Sequence, residues 1–436
     1  MVEWQVYNAD CLDVLSHLDL VDAVVTDPPY GLSFMGKNWD HGVPGVVFWK
    51  AILDAMKPGA HLLAFGGTRT HHRLMVAIED AGFEIRDVIM WVYGSGFPKS
   101  LNVSKAIDRA AKVERKVVDT YTARGFSEVS PTEDGRNQWA AGEVVDKVGY
   151  RTEAATDDAK KWEGWGTALK PAYEPIILAR KPLIGTVAQN VLEYGTGALN
   201  IDESRVEMSL DDHNIVDSRS GWSDNPREVI YHKKLGIRKE GKGTKFSSNV
   251  QGRWPANLIH DGSEEVLELF PDRKGASSNS STKVGHEGTG WGMGDLPKQD
   301  GYNDEGSAAR FFYCAKANRK ERDAGLTEEY TAGEMTDRKD GSAGLDSPRA
   351  GAGRTSGGKN NHPTVKPLAL MRYLCKLITP PNGVILDPFA GSGSTLIAAN
   401  QEGFDSIGIE LEKEYAQLMV KRLEGCESLL ESTEKS

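Results

Sequence analysis

Hydrophobic and polar positions along this chain fall into short apolar runs separated by stretches of helical period. Trp4–Tyr7, Val21–Thr26, His61–Phe65 and Glu84–Val92 read as strands, and Cys11–Leu18, Val46–Met56 and Thr70–Ala81 read as helices. Lys57-Pro58-Gly59 gives a stop for the second helix and Gly82 closes the third. Leu101–Val113 predicts another helix, Thr120–Glu163 is polar and Gly-dotted like an insertion, and Glu174–Ala179 returns to strand character. After a long gap the alternation resumes. It runs through a helix at Leu368–Ile378, a strand at Val384–Leu386 and a helix at Ser394–Glu402. A strand at Asp405–Ile409, a helix at Leu411–Leu423 and a frayed polar tail, Glu427–Ser436, complete it. Strands alternating with helices of this length predict an α/β fold, a doubly wound and mostly parallel sheet.

Between residues 183 and 360 the periodicity lapses into Gly, Ser, Asp and Lys, with aromatic-apolar islands at Trp254–Ile259 and Phe311–Ala315 and a loop-like Gly275–Gly306. The pattern therefore divides the chain into 1–182 (with an insertion at about 115–165), an inserted region 183–360, a second half of the sheet 361–426 and a tail 427–436. A net charge of −11 argues against a general nucleic-acid binder. The inserted region nevertheless holds a basic stripe that includes Lys233, Lys234, Lys239 and Lys242. Such a run is most often a solvated face. In a loop-rich insert of an acidic α/β chain it becomes a candidate phosphate-contacting surface.

The 436 residues are enough for a large core, and no run approaches the roughly 18 consecutive apolar residues of a membrane span. The acidic, strand-like start speaks against a signal peptide. Four cysteines without metal-site spacing suggest reduced thiols in a cytoplasmic setting and no metal.

Two stretches carry chemistry. In VDAVVTDPPYGLSF, Pro28 and Pro29 stop a buried strand and present Asp27 and Tyr30 at its carboxyl end, where open α/β sheets bind ligands. A carboxylate, a fixed carbonyl and an aromatic face suit a planar substrate bearing an NH2 group. Taken alone, the stretch reads first as an Asp-Pro turn ending a core strand. GVILDPFAGSGSTLIAA has the strand–glycine turn–helix layout of a nucleotide-type site, with Gly391 and Gly393 permitting positive φ. No Gly-Lys-Ser/Thr follows, which excludes a phosphate-binding P-loop. Glu410, about twenty residues on at the end of the next strand, can take ribose hydroxyls; dinucleotide binding is the rival reading.

Together, DPPY at Asp27–Tyr30, DPFAGSGS at Asp387–Ser394 and HPTVKP at His362–Pro367 resemble the amino-group DNA methyltransferases that use S-adenosylmethionine. The order of the motifs, catalytic first and cofactor last, is similar to the permuted β group. ADCLDVL, GRWPANLIHDG and ARFFYCAKA look like segments of that family, the last two of its phage and prophage members. The resemblance implies Asp27, Pro28, Pro29 and Tyr30 as the catalytic set and double-stranded DNA as partner. It implies Asp10, Thr364, Lys366, Asp387, Phe389, Gly391, Gly393 and Glu410 around S-adenosylmethionine. A homodimer stays open. Lys366 has an alternative reading as an exposed lysine at a helix start, and Phe34 and Trp39 as packing of their own loop.

The chemistry implied is methylation of an exocyclic amino nitrogen. Its lone pair is delocalised into the ring, so Asp27 and the Pro28 carbonyl would accept its hydrogens and localise that pair for in-line transfer. The base would have to leave the helix and stack on Tyr30. Carbon methylation of cytosine needs a cysteine nucleophile in a Pro-Cys turn, which is missing: Cys314 lies between Tyr313 and Ala315. Asp at the first motif position points, by the family's tendency, to adenine N6 over cytosine N4. RNA or protein amino-methylation and a non-catalytic DNA-binding protein are the further alternatives.

Overall fold

The computed structural model describes residues 2–31, 42–96, 100–126, 144–208, 252–273, 306–315, 321, 323–326, 360, 362 and 365–434. The basic stripe, Phe34, Trp39, Thr364 and all but one residue of the Gly275–Gly306 span lie outside them.

The elements run β1 (Trp4–Asn8), α1 (Cys11–Leu15), β2 (Val21–Thr26), α2 (Val46–Asp54), β3 (Met56–Phe65), α3 (His71–Asp80) and β4 (Glu84–Val92). Next come α4 (Val103–Ala110), β5 (Val117–Phe126), β6 (Val144–Thr152), α5 (Asp157–Lys161), β7 (Tyr173–Arg180) and α6 (Val187–Tyr194). Then follow β8 (Leu258–His260), α7 (Glu264–Leu267), β9 (Asp272–Arg273), β10 (Gly306–Ser307), a 3-10 turn at Ala308–Phe311 and β11 (Tyr313–Cys314). The last are α8 (Leu368–Ile378), β12 (Val384–Asp387), α9 (Ser394–Gln401), β13 (Asp405–Glu410) and α10 (Lys413–Glu434).

Among the described residues the main sheet has nine strands in the order β1-β13-β12-β2-β3-β7-β4-β8-β11. All its pairings are parallel except those of β7, which runs against both β3 and β4. Helices cover both faces, which explains why β2 is buried throughout, its two polar residues being paired, Asp22 with Lys57 and Thr26 with Asp387. Its side chains still alternate. Ala23 and Val25 join Leu63, Phe65 and Ile176 in one core with α8, α9 and α10; Val24 joins Leu62, Ala64 and Trp49 in the other, with α1, α2 and α3. The doubly wound α/β expectation therefore holds.

Several details differ from the sequence reading. Lys57-Pro58-Gly59 lies inside β3, which starts at Met56 and slips register against β2 between Val21 and Ala23. Pairing resumes only at His61 on both sides, so the missing Pro58 N–H costs no ladder bond, and its carbonyl accepts from the Asn190 amide and the Thr196 hydroxyl. The polar Thr120–Glu163 stretch contains a β5–β6 hairpin, paired from Val117↔Thr152 to Phe126↔Val144. Val117, Val118, Val148 and Tyr150 are exposed on it, so among its residues of described burial no buried face imposes an alternating pattern. The last helix continues through the supposed tail to Glu434. The islands in the 183–360 span supply β8 and β11 to the edge of the main sheet.

Because β7 is antiparallel, its first residues lie at the same edge as the carboxyl ends of β2, β3, β4, β12 and β13. That edge is where the chemistry-bearing stretches meet.

Candidate functional site

β2 ends at Thr26 and carries Asp27–Tyr30 to the carboxyl edge, while its sheet neighbour β12 carries Asp387 there. The Tyr30 hydroxyl donates to Asp27 Oδ1 at 2.8 Å and lies 3.0 Å from Glu174 Oε2, at the start of β7. Lys366 brings its ammonium to Asp27 Oδ2 at 2.8 Å, to Glu174 Oε2 at 3.1 Å and to the Tyr30 oxygen at 3.1 Å. It also sits 4.8 Å from the centroid of the Phe65 ring. Burial alone would lower the Lys366 ammonium's affinity for its proton, but Asp27 and Glu174 outweigh it and hold the pKa above the ordinary lysine value. Burial, then the same two carboxylates, push the Tyr30 phenol well above its usual range. Lys366 is therefore a buried, doubly paired cation and not an exposed residue at a helix start.

The second stretch forms the other end of the same cavity. Asp387 accepts from the Thr26 hydroxyl at 2.6 Å, the Thr395 hydroxyl at 2.6 Å and the Phe389 amide at 3.1 Å. Burial nevertheless pushes its carboxyl up to about 7, the three donors opposing it only in part. The folded carboxyl thus keeps its proton up to about pH 7, whereas an unfolded one releases it near 3.8. Folding takes up a proton in that window, so stability falls as pH rises through it. Asp387→Asn should flatten this part of a Tm-against-pH curve; an unchanged slope would assign it elsewhere.

Gly391 (φ +53°) and Gly393 (φ +78°) both lie in the left-handed region. A Cβ on Gly391 would come within 2.8 Å of His362 Nε2, and one on Gly393 within 2.5 Å of Met419 Cγ. The turn is thereby pressed against its surroundings and turns backbone toward the cavity. Glu410 at the end of β13 accepts from the Gly391 amide at 2.8 Å and, through its other oxygen, from the Glu412 amide at 2.8 Å. Burial raises its pKa, against the pull of those amides. Asp10 caps α1 by accepting from the Leu12 amide at 2.9 Å, and Phe389 packs against Phe48 and Trp49.

A cavity of ≈ 380 Å³ joins these groups, lined by Asp10, Asp27–Tyr30, Lys366, Asp387, Phe389, Gly391 and Glu410 among others. It is of ligand size and carries a carboxylate at either end. Cys11 also lines it, but burial pushes that thiol up to about 12, so it offers no thiolate for covalent attack. Among the described residues no group of His, Cys, Asp and Glu could hold a metal ion, and no helix is long and apolar enough to cross a membrane.

Sequence reasoning missed Glu174, the two threonines on Asp387, and Arg422. Arg422 is fully buried in α10 and donates to the Ser392 carbonyl at 2.5 Å and to the hydroxyls of Ser392 and Ser394. A charged residue on the apolar face formed by Leu418, Met419 and Leu423 was the available signal for it. Glu174 gave none: a polar residue at a strand start is ordinary.

The family model described as DNA methylase, N6_N4_Mtase, matches residues 21–421. The Type II methyltransferase M.ScaI of Streptomyces caespitosus is 43% identical over 75 residues, 17% of this chain and 25% of that protein. The DNA adenine methyltransferase YhdJ of Escherichia coli K12 is 42% identical over 64 residues, 15% and 22% of the two. These alignments thus span about a quarter of the length of the curated relatives. The M1.HpyAVI–SAM complex aligns over 96% of this chain and 99% of its own at 15% identity, TM-score 0.34. The cytosine-N4-specific PvuII DNA methyltransferase aligns over 96% and 86% at 11% identity, TM-score 0.38.

Proposed function

Since the chain belongs to the N6/N4 DNA methylase family, we propose that it transfers a methyl group to the exocyclic N6 of adenine in duplex DNA, at a specific site, by base flipping and direct in-line transfer. The observation that carries this reading is the adjacency of β2 and β12, which sets Asp27 and the Gly391-Ser392 backbone of the glycine turn into one cavity, Gly393 lying behind it against Met419. The methyl donor is S-adenosylmethionine, which supplies a methyl group already activated on a sulfonium. The residues fit it. The glycine turn brings backbone to the cavity, Glu410 offers a carboxylate for ribose hydroxyls, and Asp387 lines the same cavity. Asp10 and Phe389 line the same cavity, Lys366 turns instead to Asp27 and Glu174, and Thr364 lies outside the described residues.

Asp27 and the Pro28 carbonyl accept the two hydrogens of the amino group and draw its lone pair out of the ring. Tyr30 offers a face for the extruded base, returning about 1–3 kcal/mol of the unstacking cost. Its hydroxyl, held by Asp27 and Glu174, fixes the ring's orientation. The motif order supports the permuted β group, and Asp at the first motif position supports adenine over cytosine. The family's setting is a restriction–modification pair or a solitary modifying enzyme, here of the phage or prophage kind.

Methyl-labelled S-adenosylmethionine should label duplex DNA and leave RNA and protein unlabelled; label on RNA or protein alone would contradict the reading. Lys233, Lys234, Lys239 and Lys242 are assigned to phosphate contacts. Neutralising all four should weaken binding to every sequence and reduce the slope of log K against log salt by about 3–4. An unchanged slope would return them to a solvated face.

A further inference from the structure

Asp27 shares its cation. Lys366 lies between two carboxylates, 2.8 Å from Asp27 and 3.1 Å from Glu174, and the Tyr30 hydroxyl bridges the same two groups. Two carboxylates and one ammonium leave the cluster with one negative charge in excess. The other titratable groups facing it are two phenols and one acid. Tyr30 and Tyr93 both keep their protons, Tyr93 being pushed up to about 12 by burial and then by Glu174. Asp387 stands beyond Asp27, tied to Thr26 and Thr395.

A carboxylate fully paired with one buried ammonium is a poor acceptor, because its charge is already spent on the cation. A second carboxylate on the same ammonium withdraws part of that attraction. We propose that Glu174 is a positioning residue that divides the charge of Lys366, so that Asp27 keeps its strength as acceptor for the substrate's amino hydrogens. The assignment rests on the reading of Asp27 as that acceptor. Lys366 in turn allows the two carboxylates to remain charged side by side. The pair Glu174–Lys366 is electrically neutral as a unit, and its presence sets the balance at Asp27.

The charge count makes a prediction that a purely structural role does not share. Glu174→Gln leaves Lys366 to Asp27 alone and removes the excess charge; single-turnover methylation should fall by about 10- to 100-fold, the effect of one nearby charge on a carboxylate's basicity. Lys366→Met leaves two carboxylates unbalanced, so one takes up a proton. Its rate should also fall by about 10-fold or more, and should recover as pH rises between about 6 and 8 beyond the change wild type shows there from Asp387. The double variant Glu174→Gln/Lys366→Met restores one excess negative charge on Asp27. It should be faster than either single variant, with the wild-type pH profile recovered. S-adenosylmethionine affinity, read by calorimetry, should stay within about threefold in all three, because the pair faces the acceptor and not the donor.

Losses that add in the double variant, or a Glu174→Gln rate equal to wild type, would overturn the proposal. A parallel Asp27→Ala protein separates the two levels. If that variant still methylates DNA, the acceptor reading itself falls. If it is inactive while the double variant shows no recovery, only the role of Glu174 and Lys366 falls.

Discussion

Replacing Asp27 by Ala should lower single-turnover methylation of duplex DNA by at least about 10³-fold, while S-adenosylmethionine binding stays within several-fold. The magnitude follows from removing a preorganised polar partner from the reacting atom, which alone costs about 10²–10³ in rate. The loss should exceed that, because Asp27 also anchors the Tyr30 hydroxyl and half of the Lys366 charge. Cofactor affinity should survive because the Gly391–Gly393 turn and Glu410 sit at the other end of the cavity, held by their own hydrogen bonds. Turnover retained in Asp27→Ala would remove the assignment of the acceptor.

Glu410→Ala should produce the second large effect, now on binding. A hydrogen bond to a charged group contributes about 1.5–3 kcal/mol, so S-adenosylmethionine affinity should fall by about 10- to 100-fold. Part of the loss is indirect, since the Gly391 and Glu412 amides lose their acceptor and the turn loses its anchor. Calorimetry measures it directly. Tight NAD binding with none of S-adenosylmethionine would hand the cavity to a dinucleotide.

The parallel core of the fold was legible because buried strands leave continuous apolar runs and the proline and glycine turns mark their ends. Leu62–Phe65 and Val384–Leu386 are examples. The β5–β6 hairpin was not, since strands solvated on both faces carry no alternation. Lys57-Pro58-Gly59 misled because a local stop signal is overridden when a register shift lets the proline sit where no ladder bond is needed. At the site, the stretches holding Asp27 and Gly391 were visible from turn chemistry, and their meeting follows from the pairing of β12 with β2. Glu174 was invisible for a topological reason. It reaches Tyr30 across 144 residues of sequence, and only because β7 runs backwards between β3 and β4. The burial of Lys366 was hidden likewise, its two partners lying on β7 and just after β2.

Mass spectrometry of nucleosides from duplex DNA incubated with the protein and S-adenosylmethionine tests the central claim most directly. The expected product is N6-methyladenine, absent from a reaction with the Asp27→Ala variant. N4-methylcytosine without N6-methyladenine would contradict the choice of base and leave the transfer chemistry standing, while DNA with no methylated nucleoside would contradict the account itself.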